Sequence, residues 1–223
     1  MAAEILPAAN AAFASAIGPD PDDVIEAMDE RADTDGFPTV GPAVGGWLQW
    51  LARTIEARRV FEFGSGFGYS AYWFARALPD DGEIVLTEVD EGELDLAREY
   101  MKRGGFDDLA RYELGDAIET VAEYDGPFDA VLIDNEKARY REAFEAVRSK
   151  VPEGGLVIAD NAMTAGPMDF DALSALVEGE DPGEVDEHTA GVADYLDRVG
   201  SDPDFETVLL PLGEGVALSH RVA

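Results

Sequence analysis

Val60-Phe61-Glu62-Phe63-Gly64-Ser65-Gly66-Phe67-Gly68-Tyr69-Ser70 reads as a short apolar strand that enters a helix through three glycines at alternate positions. Glycine lets the chain turn tightly and lets a ligand come close to the backbone. The helix behind the turn offers N–H groups with no partner of their own. A nucleotide-like cofactor is the natural occupant of such a turn. The dinucleotide fingerprint G-x-G-x-x-G would require a glycine at position 69, where Tyr69 stands, so a nicotinamide enzyme is disfavoured.

Outward from this turn, strand-like and helix-like segments alternate. Arg59–Phe63 is the first strand, followed by a helix over Tyr69–Ala77. A second strand, Glu83–Thr87, precedes a helix over Glu91–Arg103, and a brief third strand covers Tyr112–Leu114. Phe128–Ile133 is the fourth strand, followed by a helix over Ala138–Lys150 and a fifth strand over Gly155–Ala159. Such alternation predicts an α/β fold with a doubly wound, mostly parallel sheet. After helical segments over Phe170–Val177 and Gly191–Arg198 come two more strands, Glu206–Pro211 and Gly215–His220. The short turn between them, Gly213-Glu214-Gly215, predicts an antiparallel C-terminal hairpin and a total of seven strands.

Upstream, Glu4–Ile17, Asp22–Arg31 and Val44–Ile55 read as N-terminal helices, with Pro21 at a tolerated first-turn position. One domain over 1–223 is expected, with a helical region over 1–57 and the sheet-bearing core over 58–223. The acidic stretch 178–188, with Pro182 and Gly183, reads as a solvated loop. Trp47, Trp50 and Trp73 recur at helical spacing and read as core.

The chain holds 48 Asp and Glu against 16 Lys and Arg, a formal charge of −32, and only three lysines: Lys102, Lys137 and Lys150. Concentrated salt screens such self-repulsion, to a length of about 3 Å at 1 M. A halophilic source is therefore expected. Nucleic acid needs a basic patch, and no cationic cluster exceeds Arg58-Arg59, so a nucleic-acid partner is not expected. With no cysteine, disulfides, thiolate metal sites and cysteine nucleophiles are excluded. No apolar run is long enough to span a membrane, and the N-terminus lacks a basic leader, so a cytoplasmic location is expected.

Several side chains then gather at predicted strand ends. Glu88 closes the second strand, 20 residues beyond Gly68, where a carboxylate can accept both hydroxyls of a ribose. Gly115-Asp116-Ala117 follows the third strand; Asp116 serves equally well as a helix cap. Asp134 follows the fourth strand and Asp160-Asn161 the fifth, and in a parallel sheet these ends open on one crevice. Their hard oxygens suit Mg²⁺, Mn²⁺ or Ca²⁺, although an Asp-Asn pair also forms simple turns. His188 and His220 are the only histidines, and neither is placed for catalysis.

Glu62, two residues before Gly64, together with the spacing G-x-G-x-G, resembles the first motif of S-adenosylmethionine methyltransferases. Gly115-Asp116-Ala117 resembles the segment of that family bordering adenine. Asp134-x-x-Lys137-x-x-Tyr140, followed by a strand and Asp160-Asn161, resembles the divalent-metal-dependent O-methyltransferases of the catechol and caffeoyl-coenzyme A type. The likeness runs from about Thr39 to Val222.

The resemblance implies a Rossmann-like methyltransferase fold and a homodimer. It implies that Asp134, Asp160 and Asn161 hold the metal, with Mg²⁺ the first choice, and that Lys137 is the base. It also implies that Val40, Glu62, Gly64, Gly66, Gly68, Ser70, Glu88, Asp116, Ala117 and Asp134 bind S-adenosylmethionine. The expected acceptor is a small hydroxylated molecule, catechol-like or phenolic, chelated to the metal. Lys137 can take a proton only if its pKa, about 10.4 in water, is depressed. Asn135-Glu136 lies closer to the coenzyme A branch, which leaves the acceptor open. A metal-independent methyltransferase and a noncatalytic cofactor-binding protein are the alternatives.

Overall fold

The computed structural model describes residues 7–223. The expected helix over Glu4–Ile17 is found as α1, Ala8–Ile17; its predicted start at Glu4 lies outside the described residues. Next, α2 (Asp23–Asp35) is capped by Asp22, whose carboxylate accepts from the N–H groups of Val24 and Ile25. Pro21 thus stands before the cap, not in the first turn. Gly36 ends the helix in the left-handed conformation. A loop over 37–40 leads to α3 (Gly41–Thr54).

The core follows as β1 (Arg59–Phe63), α4 (Tyr69–Ala75), β2 (Glu83–Glu88), α5 (Glu91–Gly104), β3 (Ala110–Leu114) and α6 (Ala117–Ala122). Then come β4 (Ala130–Ile133), α7 (Tyr140–Val147), β5 (Leu156–Ala159), α8 (Phe170–Val177), α9 (Glu187–Gly200), β6 (Phe205–Leu210) and β7 (Val216–Arg221). The seven strands lie in the order β3-β2-β1-β4-β5-β7-β6. All pairings are parallel except β5 with β7 and β6 with β7, the C-terminal hairpin. This is the α/β architecture expected from the alternation.

Strand residues alternate between two buried layers. Val60, Leu86, Leu132 and Ile158 face one layer with α2, α3, α4 and α5. Phe61, Phe63, Val131, Ile133 and Val157 face the other with α7, α8 and α9. With both faces covered, the central strands are apolar almost throughout. The order reverses between β1 and β4, and at such a point the loops leaving the strands diverge and open a crevice.

The structure departs from expectation at several elements. The predicted helix over Ala138–Lys150 is a 3-10 turn over Lys137–Arg139, the α-helix α7, and a second 3-10 turn over Arg148–Lys150. Helix α6 was not foreseen; its six residues are too few to carry a helical period. Phe128 and Asp129 precede β4, and the Asp129 carboxylate instead accepts from the N–H groups of Arg58 and Arg59. Residues 187 and 188 of the expected acidic loop begin α9, capped by Asp186. Trp73 is buried, but Trp47 and Trp50 are 42% and 52% exposed, packed edge to face on the outer side of α3. Helical spacing places residues on one face without saying whether that face is covered. Among the described residues no helix is long and apolar enough to cross a membrane.

Candidate active site

A cleft of about 620 Å³ opens at the reversal point, walled by the ends of β1, β2, β4 and β5 and by the loop 37–40. That loop makes the N-terminal region part of the site, and it carries Val40 to the wall.

The three glycines divide the work. A side chain on Gly64 would come within 2.7 Å of the Asp134 carbonyl oxygen, so glycine here lets the β1 and β4 ends close together. One on Gly66 would meet the Phe37 ring at 2.8 Å, and the Gly66 N–H donates to Glu88 Oε2 at 2.8 Å. Gly68 does not line the cleft; it begins α4, where a Cβ would meet Ala97 at 2.9 Å.

Glu88 is held by backbone donors on both oxygens, from Gly66 on one and from Val89 and Asp90 on the other. Its remaining lone pairs are thereby aimed before any ligand arrives. Ser70 lines the wall, whereas Glu62 is fully buried behind it and accepts from the Ser70 hydroxyl. Burial pushes the Glu62 carboxyl up to about 8, and its second oxygen has no partner. Asp116 caps α6 through Ile118 N and receives Arg139 Nη1 at 2.5 Å; that guanidinium chiefly holds its carboxyl below the usual range. The cap and the cleft-wall readings of Asp116 are therefore compatible. Ala117 lines the wall beside it.

At the other end, Asp134 leaves β4 and accepts Lys137 Nζ at 2.9 Å, while the same ammonium donates to the Asn135 carbonyl at 3.3 Å. Enclosure by protein raises the Asp134 carboxyl and the Lys137 charge opposes that rise. Asp160 leaves β5, 4% exposed; burial, then the charge of Asp134, pushes it up to about 8. Asn161 follows with a left-handed φ of 53° and donates its Nδ2 to the Glu214 carboxylate.

Asp134, Asp160, Asn161, Lys137 and Glu214 thus line one cleft with the glycine turn. Glu214, from the β6–β7 turn, was not singled out from sequence; it is 53 residues from its partner and nothing local marks it.

The donor set fits a hard cation. Asp160 Oδ1 is buried with no hydrogen-bond partner, and the Asn161 amide nitrogen is engaged, which leaves its oxygen as the ligating atom. Among the described residues no group of three or more His, Cys, Asp or Glu forms a metal cluster, so the set rests on two carboxylates and an amide.

Comparison with known proteins adds a family model described as O-methyltransferase, which matches residues 28–222. A catechol O-methyltransferase from Niastella koreensis is 34% identical over 166 residues, covering 71% of this chain and 75% of that protein. A caffeoyl-CoA O-methyltransferase from Stellaria longipes is 26% identical over 192 residues, with 83% and 77% covered. Among solved structures, the O-methyltransferase TomG from Streptomyces achromogenes, in complex with SAM (S-adenosylmethionine), superimposes with a TM-score of 0.82. It is 25% identical, and 96% of each chain is covered.

Proposed function

The chain belongs to the O-methyltransferase family and depends on S-adenosylmethionine; from that premise we propose how its cleft performs the transfer. The cofactor lies along the glycine turn. Glu88 takes the ribose hydroxyls, Asp116 and Ala117 border the adenine, and Val40 and Ser70 meet the methionine end. Gly64 and Gly66 let the backbone approach, while Glu62 and Gly68 act from behind, one holding Ser70 and the other seating α4.

Asp134, Asp160 and Asn161 hold a divalent cation, Mg²⁺ by first choice. When bound, such an ion lowers the pKa of an acceptor hydroxyl and orients it. Lys137 Nζ, as the neutral amine, takes the hydroxyl proton and becomes the ammonium that pairs with Asp134. The acceptor oxygen forms a bond to the methyl carbon as the carbon–sulfur bond breaks, and its electron pair stays on sulfur in S-adenosylhomocysteine. Charge is balanced: a sulfonium and an oxyanion become two neutral groups. Holding both reactants in one cleft supplies the positioning that such a displacement needs.

The observation that carries this reading is the buried, unpartnered Asp160 oxygen in the same cleft as the Asp134–Lys137 pair and the glycine turn. The acceptor is a small hydroxylated molecule of the catechol type. We also read the protein as a homodimer joined across the exposed face of α1 and α3, where Phe13, Ile17, Trp47 and Trp50 lie open.

The test is turnover with a catechol and Mg²⁺. Lys137→Ala is expected to lower kcat by at least about 100-fold and to leave S-adenosylhomocysteine affinity within about threefold. EDTA is expected to abolish turnover and Mg²⁺ to restore it. Turnover that survives EDTA rejects the metal, and an active Lys137→Ala variant rejects the base. Cofactor binding with no methylated product from any hydroxylated acceptor favours the noncatalytic binder.

A further inference from the structure

The walls of the cleft are strongly asymmetric in charge. Six carboxylates line it: Glu88, Asp116, Asp134, Glu136, Asp160 and Glu214. Among the described residues only two cations do, Lys137 and Arg139, and both are already engaged. Lys137 faces Asp134 at 2.9 Å. Arg139 is shared between Asp116 at 2.5 Å and Glu142 at 2.9 Å.

The formal charge of the wall is therefore −4, from six acids and two bases. A divalent ion and the singly positive cofactor reduce this only to −1. The chain as a whole carries −32, so it has no net positive charge to offset the wall.

From this we infer that the cleft selects its acceptor by charge: it takes catechol-type acceptors with a cationic or uncharged substituent and rejects polyanionic acyl-coenzyme A thioesters. The inference rests on the proposed methyl transfer and narrows its substrate. A coenzyme A thioester brings several phosphate charges that need free Lys or Arg at the mouth, ideally a bidentate guanidinium. Arg139 is the cleft's only guanidinium among the described residues, and two carboxylates hold it. Glu136 also lines the cleft and is exposed; although the pair Asn135-Glu136 resembles the coenzyme A branch, its carboxylate adds to the negative wall and favours an ammonium over phosphates. A field of one sign in a low-dielectric cleft changes encounter rates by about 10- to 1000-fold and weakens as salt rises.

Four acceptors with the same catechol ring test this, bearing an ethylammonium chain, an uncharged chain, a carboxylate chain, or an acyl-coenzyme A thioester. Each is measured in kcat/KM with Mg²⁺ at several KCl concentrations. Affinity is measured separately by calorimetry with S-adenosylhomocysteine and Mg²⁺ present.

At the lowest salt that keeps the protein folded, kcat/KM is expected to fall in the order given, by about tenfold or more from first to last. The spread is expected to narrow as KCl rises, and Glu136→Gln to narrow it by about two- to threefold at low salt. A thioester used as well as the uncharged catechol, or a ranking indifferent to salt, overturns the inference. If affinity follows the charge order and nothing is methylated, the charge selection stands and the methyl transfer fails. If methylation proceeds without the charge order, the reverse holds.

Discussion

Glu62 illustrates what one residue's sequence context hides. It stands in an apolar strand just before the glycine turn, a position that the resemblance assigns to cofactor contact. Strand alternation puts it instead on the face shared with Val60, under α4, where the Ser70 hydroxyl donates to it and its other oxygen finds nothing. Proximity to a cleft was legible; the side of the sheet was not, because a central strand buried on both faces has no polar alternation to read. The consequence is a pH dependence of stability. The carboxyl is raised from 4.5 to about 8 in the folded chain, so the folded state binds its proton more tightly than the unfolded state does. Its contribution to stability is full below pH 4.5 and is lost as pH rises through 8. For the empty protein, Glu62→Gln is expected to match wild type in stability near pH 4.5 and to exceed it at pH 8, by on the order of 4 kcal/mol. Equal melting of the two proteins at pH 8 would show that the buried carboxyl carries no such strain.

At the scale of elements, the turn that carries Lys137 is fixed from several sides. Lys137 is tied to Asp134 at its front, and Arg139 to Asp116 at its flank. Behind it, α9 packs so closely that a Cβ on Gly191 would lie 2.5 Å from both the Lys137 carbonyl oxygen and the Ala138 Cα. Those are backbone atoms, which cannot rotate away. Such pinning also explains why the apolar pattern of 138–150 overstated the helix: Arg139, at φ −110° and ψ 8°, is not helical, and α7 begins only at Tyr140. Most strands were legible as apolar runs of four to six residues between turns, and the longer helices because their period repeats. The turn was not, since the contacts that shape it come from α9, some fifty residues away. Gly191→Ala should push the turn toward the cleft, and an error of about 1 Å at a catalytic group costs on the order of 100-fold. The expected result is a 10- to 100-fold fall in kcat with S-adenosylhomocysteine affinity within about threefold. An unchanged kcat in the folded variant would mean that α9 does not set the position of Lys137.

For the whole molecule, the parallel strands followed from alternation and the closing hairpin from the short turn at Gly213-Glu214-Gly215. The reversal between β1 and β4 then brought together residues as distant as Gly64 and Glu214. The composition speaks to something the fold does not, the medium in which a chain at −32 stays compact. Its cations are largely spent on local pairs. The most enclosed is a hub where Arg148 and Arg198 both donate to buried Asp202, joining the end of α7 to α9 and the approach to β6. These two arginines hold the Asp202 carboxyl far below its usual range. That contribution is complete above pH 3.8 and is lost only as pH falls below it, so the hub cannot account for salt sensitivity at neutral pH. What salt acts on there is repulsion among the unpaired acids, screened to about 10 Å at 0.1 M and about 3 Å at 1 M. The salt-rich source that we propose therefore requires the melting temperature, at pH 7 with EDTA to remove divalent ions, to climb between 0.1 and 2 M KCl. Because screening saturates, most of the rise should be complete by about 1 M. A melting temperature that is flat or falling over this range would mean that the acidic surface is tolerated in dilute buffer, and the case for a halophilic origin would lose its physical basis.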